Sequence, residues 1–381
     1  MWLYLSILGV FAWLGYNEMQ GKRMTVSGLK WAMVFFALFV GLSDMLGGYD
    51  RYIYAECFDE VADYTDWHMF EYWRSSTLFE LYGSERLWCW LNIIISFFTS
   101  NRYIFILIVI ILIYANIYQS FKRYSEYYAL AIIVFLGFWF FFTFTYLRQV
   151  VAASFAWYGL QYIEKRDWKR FTLFMMIATL FHNSAVILFP MYWIPVIKFD
   201  RNSVVKTAVF VMLIGISGLP SAIFDIYGEV SNNSARAAAV SVQTGGRLIY
   251  IVEAAIVLYV IYVNYDRLFI TPRRTLFTNM AIVFALLLVF FYKSENGGRL
   301  CWYYLIGVIV TFSNIMAESE DKKTRYLLFA ICIVLCARII LDWDYMLYPY
   351  KTFFTDGVSS NDLINAEFEY DERYIRDKFY R

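Results

Sequence analysis

Charged residues are scarce in this chain. They account for 17% of its 381 residues, below the roughly 25% of a typical soluble domain. Hydrophobic residues make up 61% and gather into many stretches close to the about 20 residues that cross a bilayer core as a helix. This composition excludes an ordinary soluble fold. The net charge is only +1, and no Lys/Arg-rich block suggests a nucleic-acid partner.

Cysteine and several common catalytic signatures are also scarce. The five cysteines form no Cys-x-x-Cys pair, so we infer neither a disulfide framework nor a metal site. The chain has no Walker A loop, no His-Glu-x-x-His and no Gly-x-Ser-x-Gly motif, each of which would point to a particular chemistry. An enzyme built on this chain is therefore expected to use no metal and no other cofactor.

Two polar residues interrupt long apolar runs. Arg148 lies in the run 131–160, and His182 lies in the run 171–197. A cation in hydrocarbon costs at least about 2.5 kcal/mol, so such residues usually face a polar cavity and serve a function. The planar guanidinium of Arg148, with Gln149 beside it, is suited to bind phosphate oxygens through paired hydrogen bonds. The alternative is an arginine near a helix end that extends to the lipid headgroups.

His182 can act as a base near neutral pH. The following residues, Asn183 and Ser184, make a polar tip that packing alone would not require. The alternative is a packed histidine whose hydrogen bonds are satisfied. We assign Arg148 and His182 as candidate catalytic residues, and Gln149, Asn183 and Ser184 as candidate substrate-binding residues.

The basic connections predict the topology. Lys and Arg concentrate around residues 22–23, 122–123, 165–170, 267–274 and 322–325, and the positive-inside rule places these connections in the cytoplasm. The fold is then an all-α polytopic membrane protein with about ten transmembrane helices and both termini outside. Two of the predicted spans start near Tyr127 and Tyr146. The segment 87–99 is too short to cross and is predicted to be an interfacial or re-entrant helix on the outer side. The segment 171–197 has basic flanks, so we interpret it as a re-entrant hairpin with His182 at its tip and Pro190 and Pro195 in its returning half.

This topology brings several arginines to the outer face. Arg247 follows Gly245-Gly246, and Arg299 follows Gly297-Gly298. Glycine permits close backbone approach to a ligand, and a helix N-terminus favours an anion. Asp50 and Arg51 follow another glycine pair, Gly47-Gly48. We assign Asp50 as a third candidate catalytic residue and Arg51, Arg247 and Arg299 as substrate-binding; plain interfacial anchoring is the alternative.

One transmembrane domain is predicted over residues 1–341, with extracytoplasmic loops 47–102 and 220–246. The first loop combines nine acids and three arginines, between residues 47 and 86, with many aromatic residues. It is therefore expected to form helices on the membrane surface, and carboxylates beside aromatic rings suit carbohydrate. Residues 342–381 form an acidic, aromatic C-terminal tail.

Three segments stand out together: Gly-Gly-Tyr-Asp-Arg-Tyr (47–52), Tyr-Leu-Arg-Gln with small residues after it (146–153), and Asp-Trp-Lys-Arg-Phe followed by Ala-Thr-Leu-Phe-His-Asn-Ser-Ala (167–185). In combination they resemble the EpsG family of capsule and exopolysaccharide clusters, whose members are regarded as Wzy-like polymerases. In many relatives the arginine precedes the aspartate of the first segment, whereas here Arg51 follows Asp50.

The resemblance implies a multi-pass protein of the bacterial cytoplasmic membrane that polymerises undecaprenyl-diphosphate-linked oligosaccharides. Arg148, Arg247 and Arg299 would hold the diphosphate, and His182 or Asp50 would take the acceptor proton. A flippase and a chain-length regulator are the implied partners. The alternatives are a lipid-linked oligosaccharide flippase or other transporter, and a membrane acyltransferase that modifies the polysaccharide.

Overall fold

The computed structural model describes residues 1–194, 197–220 and 247–381, and we number its α-helices over these residues. They are α1 Trp2–Met19, α2 Val26–Gly41, α3 Tyr49–Asp66, α4 Thr77–Tyr82, α5 Arg86–Ser96, α6 Arg102–Tyr124, α7 Tyr128–Phe138, α8 Phe142–Thr145, α9 Leu147–Gly159, α10 Gln161–Glu164, α11 Trp168–Phe181, α12 Arg201–Ser217, α13 Leu248–Val263, α14 Tyr265–Leu268, α15 Pro272–Phe290, α16 Glu295–Gly298, α17 Leu305–Glu318, α18 Lys322–Asp342, α19 Asp344–Leu347, α20 Leu363–Phe368 and α21 Glu372–Arg376. Three 3₁₀ helices add Phe70–Ser75, Asn183–Tyr192 and Arg299–Tyr304.

The predicted all-α class is confirmed over the described residues, which contain no strand. Four helical segments are long and apolar enough to cross a membrane, namely Arg102–Tyr124, Pro272–Phe290, Arg299–Glu318 and Lys322–Asp342. Three shorter apolar helices, α2, α7 and α13, accompany them. The protein is thus a helical membrane protein, while about ten crossings stays a prediction.

The centre of the bundle consists of shorter helices than the sequence suggested. We expected spans starting near Tyr127 and Tyr146. Instead, α7 has 11 residues, and α9 has 13, or about 16–20 Å of helix. Nearly every residue of both helices is buried, because α7 packs against α1, α17 and α18 and α9 packs against α6 and α11. The chain breaks between them at residues 139–141 and at Tyr146.

Residues 49–96 form the helices α3, α4 and α5 and one 3₁₀ helix, in the loop that was expected to be helical. The segment proposed as interfacial corresponds to α5, whose 11 residues give only about 16 Å of helix. This loop packs onto the start of α6: the rings of Phe58 and Phe105 stack with centroids 4.3 Å apart.

The segment after residue 168 reverses direction at His182. Helix α11 ends at Phe181, and the following 3₁₀ helix returns alongside it, so that Phe171 lies 5.4 Å from Tyr192 between ring centroids. The reversal agrees with the predicted hairpin, while its re-entrance into the membrane stays a prediction. Pro190 lies inside the returning half. Pro195 and residues 221–246, including Gly245 and Gly246, lie outside the described residues.

Most of the basic connections meet at one end of the bundle, as the positive-inside argument requires. The contacts that join them are Arg23 to the Tyr127 hydroxyl at 3.2 Å, Arg273 to Glu164 at 2.8 Å, Arg274 to Glu318 at 2.7 Å and Arg325 to the Met19 carbonyl at 2.6 Å. Arg166 also donates to the Tyr192 carbonyl at the base of the hairpin, at 3.1 Å. The hairpin therefore starts at this basic end and points its tip away from it.

The C-terminal segment folds back onto the first loop. The Tyr374 hydroxyl donates to Asp59 at 3.0 Å, and Arg102 pairs with both Asp59 and Glu369. Lys378 lies 3.2 Å from Asp44, and both side chains are fully buried. These buried pairs attach the tail to α3 and α6, an arrangement that its composition did not predict.

Candidate functional site

Glu85 joins the two residues that the apolar runs singled out. Its carboxylate forms an ion pair with Arg148 of α9 and lies 2.8 Å from Nδ1 of His182 at the hairpin tip. Glu85 immediately precedes α5, where the helix N-terminus favours a negative charge. The carboxylate is thus held between a guanidinium and an imidazole, and we call Glu85, Arg148 and His182 the triad.

The triad is enclosed by tyrosines. Arg148 is 5% exposed, its guanidinium lies 3.9 Å from the Tyr82 ring centroid, and its Nε donates to the Tyr54 hydroxyl at 3.4 Å. Cation–π contacts of this kind gain strength when they are desolvated. The enclosure therefore holds Arg148 in one orientation, with its charge directed at Glu85.

The hairpin tip is fixed on both sides. The Asn183 side chain donates to the Ser84 hydroxyl at 2.8 Å, and Ser184 shares a hydrogen bond of 2.9 Å with the Tyr303 hydroxyl. Tyr303 is fully buried. Both residues, predicted as substrate-binding, are therefore in the neighbourhood of the triad, where their contacts position His182 between the first loop and the 3₁₀ helix at 299–304.

Electrostatics keep Glu85 ionised. Burial by itself would raise the pKa of Glu85, but the charge of Arg148 and the hydrogen bond with His182 lower that pKa to about 2. A carboxylate can only accept a hydrogen bond, so Nδ1 of His182 is the donor toward Glu85, and in the neutral imidazole Nε2 is the acceptor. The His182 side chain is 17% exposed. The arrangement can therefore take a proton from a group that approaches Nε2.

Asp50 lies close to the same site. It occupies the first turn of α3, and its charge contributes to raising the pKa of Tyr54 to about 12, after burial as the main cause. It also contributes to the raised pKa of Tyr82, again mainly caused by burial. Since both tyrosines contact Arg148, the structure brings Asp50 into the neighbourhood of the triad.

Arg299 reaches the same end of α9 from the other side. Its guanidinium lies 4.3 Å from the Tyr146 ring centroid and donates to the Tyr146 hydroxyl at 3.0 Å. Gln149 donates to the Arg299 carbonyl at 2.9 Å. Gln149 and Arg299 therefore lie together beside Arg148 along α9, while their roles in substrate binding stay predictions.

Arg247 is linked to Arg299 through its own helix. It precedes α13, and the Tyr250 ring of that helix lies against Gly298, where an added Cβ would approach the ring to 2.4 Å. The backbone at Gly298 therefore packs closely against α13. The guanidinium of Arg247 lies 5.9 Å from the Tyr250 ring centroid. The approach of a ligand to this glycine stays a prediction.

Arg51 has an environment unlike that of the other arginines. It is fully buried, and it donates to the carbonyls of Val40 and Ser43 at 3.1 Å each and to that of Leu46 at 3.1 Å. Two of these carbonyls lie at the C-terminal end of α2 and immediately beyond it, where carbonyl groups lack helical partners. Its contacts therefore give Arg51 a structural role between α2 and the first loop, in place of the substrate contact that was predicted for it.

Sequence reasoning did not select Glu85 or the tyrosines around Arg148. Glu85 was one of nine acids in the first loop, and nothing local distinguished it from the others. The usable signal was indirect: an arginine in an apolar run is usually paired with a carboxylate. Among the described residues we find no cluster of three or more His, Cys, Asp or Glu side chains suited to a metal ion.

The fold and the site together define a helical membrane protein with a buried charged centre. The profile of the EpsG family matches residues 29–352. The chain therefore belongs to the EpsG family, which makes it a membrane protein related to exopolysaccharide biosynthesis. No curated protein and no solved structure matches the chain.

Proposed function

We propose that this protein polymerises undecaprenyl-diphosphate-linked oligosaccharides at the outer face of the bacterial cytoplasmic membrane. The family match supports the polysaccharide context, and the triad provides the parts for glycosyl transfer. The enzyme would receive its units from a flippase and act with a chain-length regulator. Lipid-linked glycan is thus both donor and acceptor.

In the proposed reaction, His182 is the general base. Nε2 takes the proton of the acceptor hydroxyl, and the acceptor oxygen forms a bond to the anomeric carbon of the donor. The bond from that carbon to the diphosphate breaks, and its electron pair leaves with the diphosphate. Glu85 stabilises the imidazolium that forms, as the carboxylate does in a Ser-His-Asp triad.

The arginines divide into two roles in this proposal. Arg148 is already paired with Glu85, so it positions the carboxylate and offsets its charge. Arg299, which lies along α9 from Arg148 and donates to the Tyr146 hydroxyl, and Arg247 would stabilise the departing diphosphate. Preorganised cations at developing charge commonly contribute a factor of about 10²–10³ in rate.

The observation that carries the proposal is the 2.8 Å contact between Glu85 and His182. To test it, His182→Ala and Glu85→Gln would each be introduced, and the length of the surface polysaccharide would be measured at matched protein level. Single lipid-linked units should accumulate outside the membrane. Long chains of normal abundance in both variants would overturn the proposal.

The first loop, which contains Glu85, offers one matched control for each variant. His68, the only other histidine, has a positive φ of 56°, so His68→Asn replaces it with a residue that tolerates this conformation. Glu80→Gln removes an exposed carboxylate from α4. Both controls should give normal polymer.

The site variants also distinguish the alternative functions. Lipid-linked units trapped on the cytoplasmic leaflet in His182→Ala or Glu85→Gln would indicate a transporter, and polymer of normal length that lacks acyl groups would indicate an acyltransferase.

A further inference from the structure

A cavity separates α1 from α2 at the basic end of the bundle. Farther from this end the two helices are joined by aromatic contacts, with centroids 4.8 Å apart for Phe11 and Phe36 and 5.6 Å apart for Tyr4 and Phe39. Beyond Phe11, a space of about 490 Å³ lies between the helices. That volume is in the range of about 300–1,000 Å³ that small-molecule sites occupy.

The wall of this cavity is mainly apolar and its mouth is cationic. Phe11, Leu14 and Ala32 line the interior, while Lys22 and Arg23 line the end formed by the connection between the helices. Both basic residues are exposed. The cavity therefore combines a surface for hydrocarbon with positive charges at the membrane boundary.

Two nearby acids, Glu18 and Glu318, interact electrostatically with Arg23 and offset part of its charge, but their direct hydrogen bonds are to other groups. Glu318 accepts two hydrogen bonds of 2.7 Å from Arg274. Glu18 accepts from the backbone N–H groups of Met24 and Leu130 at 2.9 Å each. Arg23 contacts the neutral Tyr127, with its guanidinium 4.7 Å from the ring centroid.

The membrane level of the cavity is marked by tryptophan. The Trp13 side chain lines the cavity, and that residue is 64% exposed. Trp31, one position before Ala32, is 65% exposed. Exposed indoles of this kind favour the boundary between headgroups and acyl chains. Basic pockets between helices on the cytoplasmic side are suited to anionic lipid headgroups.

We propose that the cavity between α1 and α2 binds one anionic phospholipid. An acyl chain lies along Phe11 and Ala32, and the phosphate lies at Lys22 and Arg23. This site shares no residue with the triad and does not depend on the proposed polymerase activity. It holds the two N-terminal helices together at the end where they lack the aromatic contacts.

The test is native mass spectrometry of the full-length protein titrated with phosphatidylglycerol or with phosphatidylcholine. Phosphatidylglycerol should bind more tightly. The double variant Lys22→Gln/Arg23→Gln should weaken its binding by roughly fivefold per removed charge. Ala32→Leu should weaken both lipids, because it fills the cavity.

The matched control is Lys165→Gln/Lys169→Gln, which removes two exposed charges from another basic connection. It should leave binding within about twofold of the unchanged protein, since diffuse attraction is screened over about 10 Å. Equal affinity for the two lipids would overturn the proposal. So would an equal loss in the control, or unchanged binding in Ala32→Leu.

Discussion

Glu85 and Arg148 form a buried ion pair between residues 63 positions apart in the sequence. The side chains are only 4% and 6% exposed. A pair of this kind depends on both members, because removing one leaves an uncompensated charge in a poorly solvated place. The pair therefore links the first loop to α9 as well as orienting His182.

Arg148→Gln should destabilise the protein by about 3–5 kcal/mol, because Glu85 loses its compensating charge. The double variant Arg148→Gln/Glu85→Gln should recover much of that loss, since the carboxylate is also removed. Thermal unfolding in detergent measures both effects. Equal melting temperatures for the single variant and the unchanged protein would contradict the ion pair. Polymer formation should be lost in both variants, which separates stability from function.

Stability should also depend on pH through Glu85. The folded-state pKa of Glu85 is lowered to about 2 from the ordinary 4.5. Its contribution is therefore complete above about pH 4.5 and lost as the pH falls toward 2, because the unfolded chain takes up the proton first. The difference in melting temperature between the unchanged protein and Glu85→Gln should shrink over that window. Glu80→Gln, the exposed control, should follow the unchanged protein at every pH.

The sequence located part of this site and missed the rest for a physical reason. Arg148 and His182 are conspicuous because polar groups in apolar runs are costly. Glu85 is not, because carboxylates are ordinary in a hydrophilic loop and the pairing is set by tertiary contacts. The hairpin and the helical first loop were predicted from length and flanking charge, which are local properties.

Tertiary contacts, which the sequence does not show, also explain why the lengths of α7 and α9 and the role of Arg51 differ from the prediction. Long apolar runs indicated spans at Tyr127 and Tyr146, yet hydrophobicity does not show where a buried helix breaks. Arg51 stands beside Asp50 in sequence, but Arg51 is buried against backbone carbonyls, whereas the charge of Asp50 acts on Tyr54. Helix periodicity directs adjacent residues to different sides, and without the packing of α3 the sequence could not assign the sides.

Arg299 should be needed for activity more than for folding. Arg299→Gln should reduce polymer formation by at least about tenfold, because a cation near the proposed diphosphate is lost. Arg267→Gln is the control: it removes an arginine, 47% exposed, from the basic end of the molecule. Polymer yield at matched protein level measures both. An equal reduction in the two variants would indicate a general effect of lost charge.

The C-terminal tail should stabilise the connection between α2 and α3 through Lys378. Lys378 and Asp44 are fully buried 3.2 Å apart, and Lys351 lies 2.9 Å from the same carboxylate. Lys378→Met should lower the free energy of unfolding by about 3 kcal/mol, because it leaves Asp44 partly uncompensated. The control Arg376→Met alters a tail residue whose side chain is 79% exposed and should change stability by less than about 0.5 kcal/mol. Thermal unfolding compares the two variants, and equal effects would mean that the tail is not attached through this buried pair. The family match covers Asp44 and Lys351 and ends at residue 352, before Lys378.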